Sequence, residues 1–117
     1  MTESLRVAVI GLSDEGLAIA RALADAGVNT VGFDVRPPAH SPVPLAESIA
    51  DAVAGATLAC AVNLPNASLR VAEQVAPHLQ ADALYVDFNT GIPAFKQKLA
   101  SVFADGVFVD AAVLGSL

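Results

Sequence analysis

The chain has 117 residues, 55% of them hydrophobic and 15% charged, which fits one globular domain and leaves no length for a second domain of ordinary size. Twelve acidic residues against six basic ones give a net charge of −6, so no basic surface is on offer to polynucleotide phosphates and no nucleic-acid partner is expected. The apolar runs fall short of the roughly 20 residues that cross a bilayer, no secretory pattern opens the chain, and Cys60, His40 and His78 supply neither a disulfide nor a zinc set; a cytoplasmic protein without membrane or metal is expected.

Leu5 to Ile10 is a short apolar, β-branched run interrupted only by Arg6, the pattern of a strand buried on both faces of a parallel sheet. Beyond a turn over 11–16, Leu17, Ala20, Leu23 and Ala24 recur at helical spacing until Ala26-Gly27, where glycine suits a helix end. Asn29 to Val35 reads as a second strand, stopped by Arg36-Pro37-Pro38 because proline cannot donate to a ladder. Four prolines among the eight residues from Pro37 to Pro44 predict a loop with at most a short extended piece near Val43 to Leu45. Ala46 to Ala54 is a predicted helix, Thr57 to Val62 a strand, and Asn63-Leu64-Pro65-Asn66 a turn. Asn66 or Ser68 is placed to cap a helix running to about Ala76. Ala83 to Phe88 is a further strand, Pro93 opens a helix reaching Phe103, and Val107 to Asp110 is the last strand. Alternating strands and helices predict a parallel α/β sheet.

The turn Gly11-Leu12-Ser13-Asp14-Glu15-Gly16 lies between a predicted strand and a predicted helix, where a dinucleotide fingerprint belongs, with Ser13 in place of the middle glycine. Gly11 permits the tight turn, Gly16 the close approach of helix and strand, and the helix N-terminus aims amide donors at a pyrophosphate. Ser13 brings a Cβ where the backbone should approach phosphate, together with a hydroxyl that can donate to it. Asp14 and Glu15 suit the helix dipole but set negative charge beside an anionic ligand, so a modest affinity is expected. Asp34 follows Gly16 by 18 residues, at a strand end where a carboxylate accepts hydrogen bonds from the adenosine ribose. That position favours NAD. Arg36 offers a guanidinium to the 2′-phosphate of NADP instead. The same residues also fit a plain strand-to-helix turn followed by an exposed aspartate.

The sequence resembles the 3-hydroxyacid dehydrogenase superfamily, which includes 6-phosphogluconate and 3-hydroxyisobutyrate dehydrogenases. Ile10-Gly11-Leu12 resembles the opening of that family's I-G-L-G-x-M-G, Asn63-Leu64-Pro65 its M-L-P, and Val86-Asp87-Phe88-Asn89-Thr90 with Pro93 its V-D-x-S-T-x-x-P. Phe108 to Gly115 resembles F-L-D-A-P-V-S-G, in a D-A-A-V form closer to the phosphogluconate dehydrogenase NAD-binding branch. The resemblance implies a Rossmann-like, doubly wound, mostly parallel sheet, with the dinucleotide-binding domain over residues 1–117. It further implies a helical domain that supplies the catalytic lysine and much of a dimer interface; these 117 residues are expected to lack it. The loop over 37–44 is too short for the usual second helix and third strand together, so that helix is expected to be shortened or missing. By resemblance Asn63, Leu64 and Pro65 would line the nicotinamide ribose, and Asn89 would contact nicotinamide or substrate. Leu114 stands where the family has its substrate-binding serine, which leaves the substrate open.

Elsewhere the residues read as structural. Cys60 belongs to an apolar strand as an inert thiol, His40 and His78 are solvated, and Lys96 and Lys98 form a solvated helix face. No catalytic residue is therefore assigned. The expected function is the NAD- or NADP-binding part of an oxidoreductase acting on a hydroxy acid, inactive alone, with a hydroxy-acid substrate only when a second domain is present. A nucleotide-sensing module and a scaffold that no longer binds dinucleotide are the other readings. An oligomer is compatible with the chain.

Overall fold

The computed structural model describes residues 5–112. Five strands, β1 (Arg6–Ile10), β2 (Asn29–Phe33), β3 (Leu58–Ala61), β4 (Leu84–Asp87) and β5 (Phe108–Asp110), form one parallel sheet in the order β2-β1-β3-β4-β5. The helices between them are α1 (Asp14–Asp25), α2 (Ile49–Val53), α3 (Ser68–Val75) and α4 (Pro93–Ala100). The chain steps outward from β1 to β2 and then returns to β3 on the other side of β1. The carboxyl ends of β1 and β3 therefore flank the point where strand order reverses, which is where open α/β sheets bind ligands.

Alternation along the strands divides the core in two. Ala8, Ile10, Ala59, Ala61 and Tyr85 face α2, α3 and α4, while Val7, Val9, Cys60 and Val62 face α1. Both faces of the sheet are thus covered, as the apolar run from Val7 to Ile10 requires. Val7, Val9, Val53, Val75 and Leu99 are almost fully buried, each contributing roughly 1.5–3 kcal/mol of apolar burial.

The segment after β2 contains no helix before α2. Instead Leu45 makes a single parallel bridge to Gly32: Gly32 donates to the Pro44 carbonyl at 2.9 Å and Ala46 donates to the Gly32 carbonyl at 2.8 Å. The prolines lack donors, so Pro44 can only accept, and the amide that this segment gives to the sheet is that of Ala46 beyond them. This one-residue strand also delays α2. Leu45 and Ala46 belong to the sheet edge, and the helix starts only after Ser48, whose hydroxyl accepts from the Asp51 amide at 3.0 Å. Neither Asn66 nor Ser68 caps α3, contrary to expectation. A 3-10 turn over Pro65–Ala67 leads into the helix, and Ser68 lies inside it, buried, its hydroxyl donating to the Leu64 carbonyl at 3.4 Å. The last helix ends at Ala100 rather than Phe103, because Phe103 turns inward to stack on Tyr85 with ring centroids 4.4 Å apart. Among the described residues no helix is long and apolar enough to cross a membrane.

Candidate functional site

The turn after β1 exists only because two residues lack a Cβ. Gly11 has φ +105°, and a Cβ there would lie 2.0 Å from the Val62 carbonyl oxygen at the end of β3. A Cβ on Gly16 would lie 1.8 Å from the Gly11 carbonyl oxygen, so the first turn of α1 rests directly on the chain leaving β1. Ser13 is the N-cap residue of α1 but makes no side-chain cap bond, and Ser13, Asp14 and Glu15 are exposed. The amides of that first turn are the unpaired donors of a helix N-terminus, open to the crevice.

Asp34 closes the other side of this turn. Its Oδ2 accepts from the Leu12 amide at 2.8 Å and its Oδ1 from the Arg36 amide at 3.0 Å. The carboxylate is fixed at the end of β2 and ties the glycine turn to it. Each oxygen keeps a lone pair for a further donor. The Arg36 side chain is exposed beside it.

A buried polar network joins the carboxyl ends of β3, β4 and β5. The two hydrogens of the Asn89 amide nitrogen are shared among Asp87 Oδ1 (2.7 Å), Ser68 Oγ (3.1 Å) and Asn63 Oδ1 (3.3 Å), and its oxygen accepts from the Asn63 backbone amide at 2.8 Å. Asn89 thereby latches the turn after β3 to β4. Asp87, 1% exposed, holds the Lys96 ammonium at 2.7 Å, and Asp110 at the end of β5 holds it at the same distance. Burial disfavours the charged form of Lys96, but the hydrogen bonds and charges of Asp110 and Asp87 outweigh it and hold its pKa above the ordinary lysine value. Lys96 is therefore a buried, doubly paired ammonium, not part of a solvated helix face; Lys98 does remain exposed.

Between the first turn of α1 and the ends of β4 and β5 opens a pocket of about 270 Å³, with Glu15, Asn89, Thr90, Lys96 and Asp110 on its wall. Leu64 and Pro65 are exposed beyond Asn63. The structure thus gathers the predicted residues along one edge of the sheet, from Asp34 through the glycine turn to Asn63 and Asn89. A larger pocket of about 360 Å³ lies between the end of α1 and the proline loop, lined by uncharged residues such as Thr30 and Val43.

Residues 6–117 match the model of the NAD binding domain of 6-phosphogluconate dehydrogenase. The chain belongs to that family. No curated protein matches it in sequence. A conserved hypothetical protein of Sinorhizobium meliloti 1021 has 25% identity and a TM-score of 0.83, covering 97% of this chain and 42% of its own. The 3-hydroxyisobutyrate dehydrogenase of Mycobacterium tuberculosis, solved with L-serine, is 23% identical with a TM-score of 0.86 over 96% of this chain and 41% of that one. Pyrroline carboxylate reductase of Plasmodium falciparum, solved with NADP bound, is 16% identical with a TM-score of 0.79 over 94% of this chain and 42% of that one. The NAD-binding domain thus spans about two-fifths of the length of these solved proteins.

Within this NAD-binding domain the remaining candidates lie apart from the crevice. His78 sits past the end of α3, at the edge of the sheet opposite to the glycine turn, and His40 is in the proline loop; both are exposed. Cys60 is buried in β3, and burial pushes its thiol up to about 11, so it stays protonated near neutral pH. Sequence reasoning missed Lys96 and its two aspartates. The available signal was two strand-terminal aspartates, Asp87 and Asp110, with a lysine one turn into the helix between them.

Proposed function

We propose that the domain binds NAD in preference to NADP along the carboxyl ends of β2, β1, β3 and β4, as the cofactor-binding part of a dehydrogenase that oxidises a hydroxy acid. The observation that carries this reading is the glycine pair: neither position tolerates a Cβ, and together they bring an open helix N-terminus to the reversal point of the sheet. The residues present fit a dinucleotide. Asp34 is held where it accepts from ribose hydroxyls, the first turn of α1 and the Ser13 hydroxyl donate to pyrophosphate, and Asn63 to Pro65 flank the path onward to the pocket at Asn89. When bound, the nicotinamide supplies the hydride transfer, while the protein binds and orients it. Residues 1–117 act as one dinucleotide-binding unit in this reading, and a separate helical domain supplies the substrate-side groups. Calorimetric titration with NADH and NADPH tests it: binding of at least one is expected, and binding of neither at millimolar concentration contradicts it.

The preference for NAD follows from Asp34. A 2′-phosphate would set its charge against a carboxylate already fixed by two amides, at a cost of about 1–3 kcal/mol, the scale of an unpaired buried polar contact. NADH is expected to bind the tighter by that margin, and tighter NADPH would show that the Arg36 guanidinium dominates.

The isolated domain is expected to show no dehydrogenase turnover. Proton transfer from a substrate hydroxyl needs a group free to take the proton within hydrogen-bond reach. Lys96, the cation on the pocket wall, is held protonated by two carboxylates, and His40 and His78 lie elsewhere. An assay of the purified chain with NAD(P) and a panel of 3-hydroxyacids, including 6-phosphogluconate and 3-hydroxyisobutyrate, tests this. NAD(P)-dependent turnover of any of these acids by the purified chain would contradict it.

A further inference from the structure

We propose that the crevice discriminates between the redox states of the nicotinamide, holding the oxidised, positively charged ring more tightly than the reduced, neutral one; this rests on the dinucleotide reading above. With the adenosine ribose at Asp34 and the pyrophosphate at the first turn of α1, the other end of a dinucleotide extends toward the ends of β3, β4 and β5. There it meets the pocket of about 270 Å³ walled by Glu15, Lys96 and Asp110.

The charges around that pocket do not balance. Glu15 and Asp110 line it, Asp87 lies behind it, and Lys96 is the cation among them, its ammonium 2.7 Å from both Asp87 and Asp110. Three carboxylates against one ammonium leave two negative charges. Asp87, 1% exposed, is sheltered from solvent screening, whereas Glu15 and Asp110 act through water. The two phosphates belong to the ligand in both redox states, and the partial positive charge at the start of α1 faces them and is offset by them, so the side chains around the pocket are what act on the ring. What differs is the ring, which carries one positive charge when oxidised and none when reduced. Two net charges acting on that ring across roughly 8–10 Å, in a medium close to water, correspond to about three- to tenfold tighter binding of the oxidised form at low salt.

The test is equilibrium binding of NAD+, NADH and ADP-ribose to the chain at low salt, repeated at about 0.5 M salt, where the Debye length shrinks to a few ångströms. ADP-ribose reports the adenosine and pyrophosphate sites without the ring. The expected result is NAD+ tighter than NADH by about three- to tenfold, with the ratio moving toward unity in high salt and in Glu15→Gln, an exposed position on the first turn of α1. If ADP-ribose binds but NADH binds as tightly as NAD+ or more so, the discrimination is overturned and the dinucleotide reading stands. A ratio above one that neither salt nor Glu15→Gln changes overturns the electrostatic origin and with it the proposal. If none of the three ligands binds, the dinucleotide reading itself falls.

Discussion

Replacing Lys96 with methionine is expected to lower the folding free energy by about 3–5 kcal/mol, the cost of breaking a buried pair and leaving one charge uncompensated. Methionine fills most of the volume of the lysine stem, so the loss reports the charge rather than a cavity. Asp87, almost fully buried, would lose its 2.7 Å partner and keep only the Asn89 amide. The damage should spread through Asn89 to the turn at Asn63, since that amide is oriented by Asp87 on one side and Asn63 on the other. Combining Lys96→Met with Asp87→Asn is expected to recover part of the loss, because both charges are then gone. Lys98→Met, on the exposed side of the same helix, should stay within about 0.5 kcal/mol. Urea denaturation of the four proteins measures these differences. The pH dependence has a definite sign. The pKa of Lys96 is raised in the folded state by Asp110 and Asp87 against the opposing effect of burial, so its contribution is complete below the ordinary value of 10.5 and is lost as pH rises through the raised one. The gap between wild type and Lys96→Met should therefore be level from neutral to mildly alkaline pH and narrow only above that range.

Gly11→Val is expected to abolish dinucleotide binding, by more than about a hundredfold, and to destabilise the fold by about 2–5 kcal/mol. The side chain would start 2.0 Å from the Val62 carbonyl oxygen on a backbone at φ +105°, so either β3 or the turn must move. Either shift displaces the first turn of α1 from the crevice. Gly16→Ala attacks the same contact from the helix side, its Cβ 1.8 Å from the Gly11 carbonyl oxygen, and should weaken binding comparably. Thermal melts read the stability change, and titration with NADH, run well below the melting temperature of each variant, reads the binding.

The sheet was legible in the sequence because each strand is a short apolar run bounded by glycine, proline or asparagine. The edges of elements were less so, for reasons local to each. Ala46 opens the helix that the sequence predicts as far as Ala54, and nothing within that window reveals that its amide is captured by Gly32. The Asp34 position was legible from its distance to the glycine turn, whereas its grip on the Leu12 amide depends on β1 and β2 lying in register. Lys96 was misread because a lysine flanked by glutamine and a second lysine has the local pattern of a wet helix face. Its partners come from β4 and β5, and only the register that sets Asp87 opposite Asp110 brings both carboxylates to one ammonium. Pairings of that kind are properties of the sheet, not of any stretch of sequence.

The claim that the crevice beside the glycine turn takes the dinucleotide is tested most directly by following the backbone amide resonances of the isotope-labelled chain during titration with NAD+. The predicted result is saturable shifts of the Leu12 to Gly16 amides and of Arg36, together with those of Asn63 and Asn89, while residues around His78 stay in place. Shifts confined to the pocket beside Thr30 and Val43, or no shift from Leu12 to Gly16 at millimolar ligand, would contradict it.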